Sequence, residues 1–382
     1  MGSDVVVVGG SAAGFKVAEV LARSGRGVEL VERHHGLDPT PRTLIVTSRA
    51  RDVIGSAVEP AVVNEINRFE LYANGRVATV DLEQPDLIVE RATIIRELAA
   101  RAQEGGATVS FGTRVSGVEG ISGGMRLRAE AEGRQPRDIE TEVVVGADGV
   151  HSRVARAAGW PRQSTVPLVQ AIIEMPPGIP VDTSRIWFRP EDTPYFYWLI
   201  PESRSRAALG VIGINPADTR RRLDRFLADK GFRVLNYQGA VIPAYQRWIP
   251  VHRRVGDGDA YLVGDAAGQV KVSTVGGLVT GLRGAVAVAR GILTGGKDRD
   301  LGRLKRELDL HRTIRRAMYD FSQDDYIYVL DQLNAAARRS LGTNDRDDAS
   351  RILWSLCRSR PQLLLRGIRS LVTNSSARDR VS

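Results

Sequence analysis

The sequence predicts an α/β fold with a βαβ unit at its start, a β-rich middle region and a helical C-terminal region. Three observations support this prediction. Short apolar runs lead into glycine-rich turns at three places, aromatic residues concentrate in strand-like segments of the middle region, and helical spacing prevails after residue 297. A chain of 382 residues is long enough for two domains or for one elaborate domain with a large core.

The first 32 residues contain the βαβ pattern. Residues 5–8 are four valines that end in a glycine cluster, and a helical pattern follows over residues 11–22. A second strand is predicted over residues 28–31 and ends in Glu32. Strand, glycine turn, helix, strand and terminal acid form the pattern of a dinucleotide-binding unit.

Each position of this turn has a physical task. Gly9 makes the tight turn, the bare backbone at Gly10 and Ser11 allows a pyrophosphate to approach, and Gly14 lets the helix lie close to the strand. The unpaired N–H groups and partial positive charge of the helix N-terminus attract phosphate. Glu32 is placed to accept hydrogen bonds from ribose hydroxyls. Ser11 stands where the pattern usually has its middle glycine.

The composition is that of a globular protein, with 42% hydrophobic and 26% charged residues. No apolar run reaches the roughly 18 residues of a membrane-spanning helix. Residues 1–4 lead directly into the first strand, so we expect a cytoplasmic protein without a signal peptide. The single cysteine, Cys357, excludes an internal disulfide and a cysteine-based metal cluster, and the sequence predicts no metal site.

The net charge of +9 comes mainly from arginine, because the chain has only five lysines. Residues 297–382 carry 18 basic and 12 acidic residues. The arginines there alternate with Asp and Leu at helical spacing, which favours a solvated helical face over a nucleic-acid surface. A peripheral contact with an anionic membrane is the alternative, since residues 361–372 combine leucines with two arginines.

The region after the βαβ unit divides into several predicted elements. Residues 34–60 are rich in Pro, Ser and Thr and predict an irregular connection anchored by Arg42 and Arg49. Residues 58–86 show the alternation of β-structure, and residues 90–103 form an amphipathic helix pattern that Gly105 and Gly106 end.

Two further strand–glycine turns carry acids. In the first, residues 143–145 run into Gly146-Ala-Asp-Gly149, where Asp148 can bond to backbone N–H groups, as in a helix cap, or to a ligand hydroxyl. In the second, Asp265 ends a strand and is placed to hold a polyol hydroxyl. A long apolar helix then opens near Gly276 and Gly277 and directs its first N–H groups at negative charge.

Residues 164–254 read as strands with one helix at residues 216–230. Aromatic residues cluster there, among them Phe196, Tyr197 and Trp198, and they suit either a core or the wall of a large apolar pocket. Further helices are predicted over residues 301–318, 326–341 and 349–372.

The three turns together resemble a known superfamily. Para-hydroxybenzoate-hydroxylase-type flavoproteins bind FAD with three stretches that are similar to Gly9–Gly14, Gly146–Ser152 and Gly264–Gly268. Within that superfamily the chain looks most like the geranylgeranyl reductase family. The segment Gly264–Gly277 resembles that family's GDAAG turn and glycine-rich helix start, and Phe196–Pro201 resembles its aromatic strand.

This resemblance implies the domain organisation. It implies a Rossmann-like FAD-binding domain of the glutathione-reductase and para-hydroxybenzoate-hydroxylase type, made of residues 1–163 and 255–296. An antiparallel β-sheet substrate domain would occupy residues 164–254, and a helical region residues 297–382.

The resemblance also implies the cofactor site. The AMP half of FAD would lie at residues 9–14 and Glu32, Val115 would offer backbone bonds to adenine, and Asp265 would bind the ribityl chain. Arg42 and Arg91 would face the pyrophosphate or the flavin edge. The implied FAD-binding residues are Gly9, Gly10, Ser11, Ala12, Gly14, Glu32, Arg33, Arg42, Arg91, Val115, Asp148, Gly149, Asp265, Gly276 and Gly277.

The implied activity is that of an FAD-dependent oxidoreductase that reduces C=C bonds of an apolar, isoprenoid-like substrate with hydride from flavin N5. Phe196, Tyr197 and Trp198 would wall the substrate pocket, and NAD(P)H or an electron-donor protein would reduce the flavin. Tyr195, Tyr197, His252 and solvent are all open as the proton donor.

Alternatives stay open at this point. An FAD-dependent aromatic or polyketide monooxygenase has the same motifs. A flavin-dependent halogenase needs an early lysine, and none occurs between Lys16 and Lys230. A non-catalytic lipid carrier or a cyclase that uses flavin without redox change would also share the fold. The chain departs from the family pattern at Val272 and Val275, which replace proline and a third glycine, and it lacks a cysteine in residues 33–60.

Overall fold

The computed structural model describes residues 4–296, 298–344, 346–348 and 350–351. The strands in this part of the chain are β1 Val5–Val8, β2 Val28–Val31, β3 Thr43–Val46, β4 Val62–Ala73, β5 Arg76–Glu90, β6 Thr108–Ser110, β7 Thr113–Ile121, β8 Gly124–Ala131, β9 Arg137–Thr141, β10 Val143–Gly146, β11 Thr165–Glu174, β12 Thr183–Trp187, β13 Tyr197–Pro201, β14 Arg206–Ile212, β15 Val234–Pro243, β16 His252–Val255 and β17 Gly258–Leu262. The α-helices are α1 Ala12–Arg23, α2 Ala50–Ile54, α3 Arg91–Glu104, α4 Arg153–Ala157, α5 Pro216–Lys230, α6 Leu278–Thr294, α7 Arg299–Met318, α8 Gln323–Asp331 and α9 Ala335–Thr343.

A six-stranded sheet with the order β16-β17-β10-β1-β2-β6 forms the first layer. All its pairs are parallel except β16 with β17. The valines of β1 are almost completely buried, as expected of a parallel strand covered on both faces. This sheet, with α1 packed between α3 and α6, confirms the predicted Rossmann-like α/β fold.

The register of this sheet brings the three glycine turns together. Val8 at the end of β1 lies beside both Val31 and Gly146, and Gly146 lies beside Leu262. The residues that follow these strand ends therefore meet at one sheet edge. In an open α/β sheet this carboxyl edge is where ligands bind.

An eight-stranded sheet with the order β15-β11-β14-β13-β12-β4-β5-β3 forms the second layer. Its pairs are antiparallel except β12 with β4. Five of its strands come from the predicted β-rich region, residues 164–254, and three come from residues 43–90. His252–Val255, at the end of that predicted region, pairs with β17 in the parallel sheet instead.

The prediction of an irregular connection at residues 34–60 was wrong in part. Thr43–Val46 pairs with β5, and Ala50–Ile54 forms a short helix. The apolar residues Val46, Ala50 and Ile54 are buried in the main core, and this tertiary burial outweighs the local turn-forming composition.

The C-terminal helices follow the sequence pattern with one break. Residues 301–318 lie within α7 as predicted, but residues 326–341 contain two helices, because Asn334 caps α9 with its side chain. The stretch 349–372 lies outside the described residues except for 350–351. Among the described residues, no helix combines the length and apolarity that crossing a membrane requires.

Candidate cofactor and substrate site

The first glycine turn is too crowded for side chains at two positions. Gly9 has a φ of +107°, and a Cβ there would come within 2.6 Å of the Ala147 carbonyl oxygen. A Cβ on Gly14 would collide with the Gly9 carbonyl. Ser11 is tolerated because it caps α1, where its Oγ accepts a hydrogen bond of 3.2 Å from the Gly14 N–H.

Glu32 is held by the main chain at the end of β2. One carboxylate oxygen accepts a hydrogen bond of 2.6 Å from the Gly10 N–H, and the other accepts one of 2.9 Å from the His34 N–H. The carboxylate therefore has a defined position beside the glycine turn. Both oxygens keep further lone pairs for hydroxyl donors.

A cavity of about 350 Å³ extends from this turn. Nine of the implied FAD-binding residues line it, namely Gly9, Gly10, Ser11, Glu32, Arg33, Arg91, Val115, Asp148 and Gly149. Val115 was expected to offer backbone bonds to adenine, and its carbonyl already accepts a hydrogen bond of 3.2 Å from Arg153. Gly14 lies behind the turn, where it allows the close helix–strand contact.

One carboxylate oxygen of Asp148 accepts a hydrogen bond, and the other has no hydrogen-bond partner among the described residues. Its Oδ2 accepts a hydrogen bond of 2.6 Å from the Arg153 N–H at the start of α4. Its Oδ1 is buried and has no hydrogen-bond partner among the described residues. Burial raises the pKa of the Asp148 carboxyl above its usual value. A buried acceptor of this kind at a cavity wall fits a ligand hydroxyl better than a purely structural turn.

A larger cavity of about 610 Å³ continues from the smaller one. Ser11, Arg91, Ala147 and Gly149 line both cavities. Five further predicted residues line only the larger one: Ala12, Arg42, Asp265, Gly276 and Gly277. The remaining wall comes mainly from apolar side chains of the eight-stranded sheet and of α7, including Phe69, Leu71, Ile186, Ile212 and Met318.

Three charged groups, Arg42, Arg91 and Asp265, line the larger cavity, and Arg91 also lines the smaller one. Burial and the neighbouring charge of Arg91 lower the pKa of the Arg42 guanidinium to about 10. Burial raises the pKa of Asp265 although both arginines act to lower it. The backbone fixes the two arginines relative to each other, because the Arg91 N–H donates to the Arg42 carbonyl at 3.0 Å. Two partly buried cations in the wall of one cavity suit a pyrophosphate.

The N-terminus of α6 lines the larger cavity. Gly277 is its N-cap, and a β-bridge between Lys271 and Gly276 closes the preceding turn. A Cβ on Gly277 would come within 2.9 Å of the Val270 side chain. Val275 has a φ of +57°, a left-handed conformation that favours glycine and that strains a β-branched residue. Val275, which stands where the resemblance implies a third glycine, thus has a backbone conformation that suits glycine.

The aromatic strand divides its residues between two faces. Phe196 and Trp198 line the larger cavity. Tyr197 does not, and its prediction as a pocket residue was wrong. It is fully buried on the opposite face of the sheet and stacks on Phe226 of α5 with ring centroids 4.3 Å apart. Successive side chains of a strand point to opposite faces, so only alternate aromatics reach the cavity.

The suggested proton donors lie elsewhere. Tyr195 packs under Arg315, with 4.0 Å between the guanidinium carbon and the ring centroid, and His252 is 2.6 Å from Asp259 at the sheet edge. Neither these residues nor Tyr197 line the two cavities formed by the described residues. Two residues that the sequence analysis missed do line the larger one, Ser273 and His311.

The comparisons with known proteins identify the family. Residues 2–300 match the model of the FAD binding domain family. A digeranylgeranylglycerophospholipid reductase of Methanothermobacter thermautotrophicus is 31% identical over 292 residues, which cover 72% of this chain and 74% of the relative. The chain belongs to the geranylgeranyl reductase family of FAD-dependent oxidoreductases.

Solved structures share the fold. A geranylgeranyl bacteriochlorophyll reductase-like protein from Thermoplasma acidophilum superposes with a TM-score of 0.80 at 18% identity, covering 96% of this chain and 99% of the other. Aklavinone-11 hydroxylase in complex with FAD and aklavinone superposes with a TM-score of 0.59 at 21% identity, covering 83% and 68% of the two chains. As a member of the family, this chain is an FAD-dependent enzyme.

Proposed function

We propose that this protein is an FAD-dependent reductase that adds hydrogen across C=C bonds of a long apolar, isoprenoid-like molecule. The observation that carries the proposal is the polarity of the larger cavity. Arg42, Arg91, Asp265 and the glycine turns form one part of its wall, Arg346 is a further charged residue in it, and most of the remaining wall is apolar. A hydrocarbon chain would fill the apolar part of this wall.

The described residues supply the parts of an FAD site. Glu32 would bind the ribose of the AMP half, and Arg42 and Arg91 would neutralise the pyrophosphate. Asp265 would hold the ribityl chain, and the first N–H groups of α6 at Gly277 would stabilise negative charge on the flavin ring. Reduced FAD bound here supplies a hydride from flavin N5.

The substrate would lie against the face of the eight-stranded sheet that carries Phe196 and Trp198. The Trp198 ring lies across Gly210 of β14, where a Cβ would collide with it. The lack of a side chain at Gly210 therefore leaves room for the indole, which lines the cavity. The apolar wall would exclude water from the reacting carbons.

The reductant and the partners of the reaction are part of the proposal. We expect NAD(P)H that docks transiently, or an electron-donor protein, to reduce the bound flavin. The expected peripheral membrane contact involves residues 361–372, which lie outside the described residues.

An anaerobic half-reaction tests the proposal. The holoenzyme is reduced with dithionite and mixed with geranylgeraniol or a geranylgeranylated lipid, while flavin absorbance is followed. We expect reoxidation without oxygen and a product that has gained two hydrogens for each bond reduced. Reoxidation only after oxygen is admitted, with a product that has gained oxygen, would overturn the reductase and support a monooxygenase.

A further inference from the structure

Ser273 and His311 form a polar pair in the wall of the larger cavity. The Ser273 Oγ lies 2.6 Å from Nδ1 of His311, which is hydrogen-bond distance. Ser273 belongs to the turn that the Lys271–Gly276 bridge closes, directly before the α6 N-terminus. His311 belongs to α7, on the buried face that also carries Leu304 and Leu308. Two separate elements thus bring these side chains together beside the glycines implied to contact flavin.

The surroundings of His311 differ from those of a histidine that only fills a core. The residue is 2% exposed, yet it contributes to the cavity wall. Its Nε2 is buried and has no hydrogen-bond partner among the described residues. A structural imidazole normally satisfies both nitrogens, and an unpaired buried nitrogen at a cavity requires another explanation, such as catalysis.

Resting on the function proposed above, we infer that the Ser273–His311 pair delivers the proton for reduction of the double bond. One carbon receives the hydride from reduced flavin. The other forms its new C–H bond with the proton of the Ser273 hydroxyl, whose O–H bond breaks. The imidazolium of His311 gives its Nδ1 proton to that oxygen and becomes neutral. A proton from bulk solvent then restores the imidazolium, so that each bond consumes one hydride and one solvent proton and leaves the flavin oxidised.

The electrostatics of the pair make His311 a strong acid when it is protonated. Burial and then the charge of Lys271 lower its pKa to about 4, while Asp347 acts in the opposite direction. On the same helix, Glu307 pairs with Arg283 at 2.8 Å, and Arg315 stacks on Tyr195. Since the protonated fraction of such a group falls tenfold for each pH unit above its pKa, the proton-transfer rate should fall in the same way.

Two variants of the pair and one control test the inference. Anaerobic reoxidation of the dithionite-reduced holoenzyme by geranylgeraniol is measured between pH 5 and pH 8. We expect His311→Phe to slow reoxidation about 100-fold, as is typical for loss of a general acid, and to abolish the fall in rate with rising pH. Ser273→Ala should slow it similarly. His252→Gln, which replaces a histidine outside the cavities, should react like the wild type.

A second measurement separates catalysis from folding and binding. Flavin content and the affinity of the oxidised holoenzyme for geranylgeraniol, followed by flavin fluorescence, should be unchanged in Ser273→Ala. Wild-type rates and pH dependence in both variants of the pair would overturn the proton-delivery role alone. Slow reoxidation matched by an equal loss of flavin or of binding in both variants would also overturn it. A wild-type enzyme that no polyprenyl compound reoxidises would overturn the proposed function together with this inference.

Discussion

The Glu32 carboxylate is the most direct test of the cofactor site at the scale of one residue. Glu32→Ala removes an acceptor that two backbone N–H groups hold in place at the cavity wall. Because each lost hydrogen bond to ribose costs about 1 kcal/mol, we expect FAD affinity to fall about 10- to 100-fold. Titration of the apoprotein with FAD measures this change. Glu130→Ala, at an exposed position on β8, serves as the control, and equal affinities for both variants would contradict the assignment.

Val275 stores backbone strain in the turn that precedes α6. A left-handed conformation costs a non-glycine residue about 1–2 kcal/mol, so we expect Val275→Gly to stabilise the protein by about 1 kcal/mol after the entropy of the unfolded glycine is subtracted. Val272→Gly is the matched control, since Val272 is buried without a positive φ and should destabilise. Urea unfolding of the two variants measures both changes. Loss of stability in Val275→Gly would show that its side-chain contacts outweigh the strain.

At the scale of elements, a buried ion pair joins the turn before α6 to the segment after α9. Lys271 pairs with Asp347, which also accepts a hydrogen bond of 2.9 Å from the Thr47 hydroxyl. The neighbouring Arg346 pairs with Asp86 of β5 and lines the larger cavity. These contacts hold the C-terminal segment against the cavity wall.

Replacing one partner of this ion pair should lower the free energy of unfolding more than replacing both partners. Asp347→Asn leaves the Lys271 ammonium buried without its countercharge, and we expect a loss of about 3 kcal/mol in the free energy of unfolding. The double variant Lys271→Met/Asp347→Leu should recover part of this loss because no uncompensated charge remains. Urea unfolding of the wild type, the single variant and the double variant measures these free energies. A double variant less stable than Asp347→Asn would argue against a desolvation cost.

The elements also show where local sequence suffices. The helix predicted at residues 216–230 has the same bounds in the structure, because Asn215 caps its first turn and Gly231 adopts the left-handed conformation that ends it. The prediction at residues 34–60 was wrong in part, since β3 and α2 depend on contacts with β5 and the main core. Local signals determine an element when its own residues supply its caps, and tertiary burial determines it when they do not.

At the scale of the whole molecule, buried titratable groups act on stability in opposite directions. The folded-state pKa of His311 is about 4, below its usual value of about 6.5. Its neutral form therefore adds stability that is fully present above pH 6.5 and is lost as the pH falls through 4. Asp148 and Asp265, whose pKa values are raised, add stability at low pH that is lost as the pH rises.

The His311 contribution can be isolated by comparing pH profiles. With the pKa of His311 lowered to about 4, its contribution to the free energy of unfolding should fall by about 3 kcal/mol between pH 7 and pH 4. We expect the wild type to lose more stability than His311→Phe over this interval, as measured from urea unfolding at each pH. Parallel profiles for the two proteins would contradict a depressed pKa at His311.

The sequence by itself determined the Rossmann-like fold, the three glycine turns and the cofactor class. These features depend on short-range chemistry, because a turn that needs Gly9 or a strand end that carries Glu32 can be read from neighbouring residues. The tertiary structure alone decided which aromatic side chains face the cavity and that His311 lies within hydrogen-bond distance of Ser273. Tyr197 and Trp198 are neighbours on β13 and point to opposite faces of the sheet. His311 is 38 residues away from Ser273 in the sequence. Contacts of this kind depend on the packing of whole elements, which no local spacing encodes.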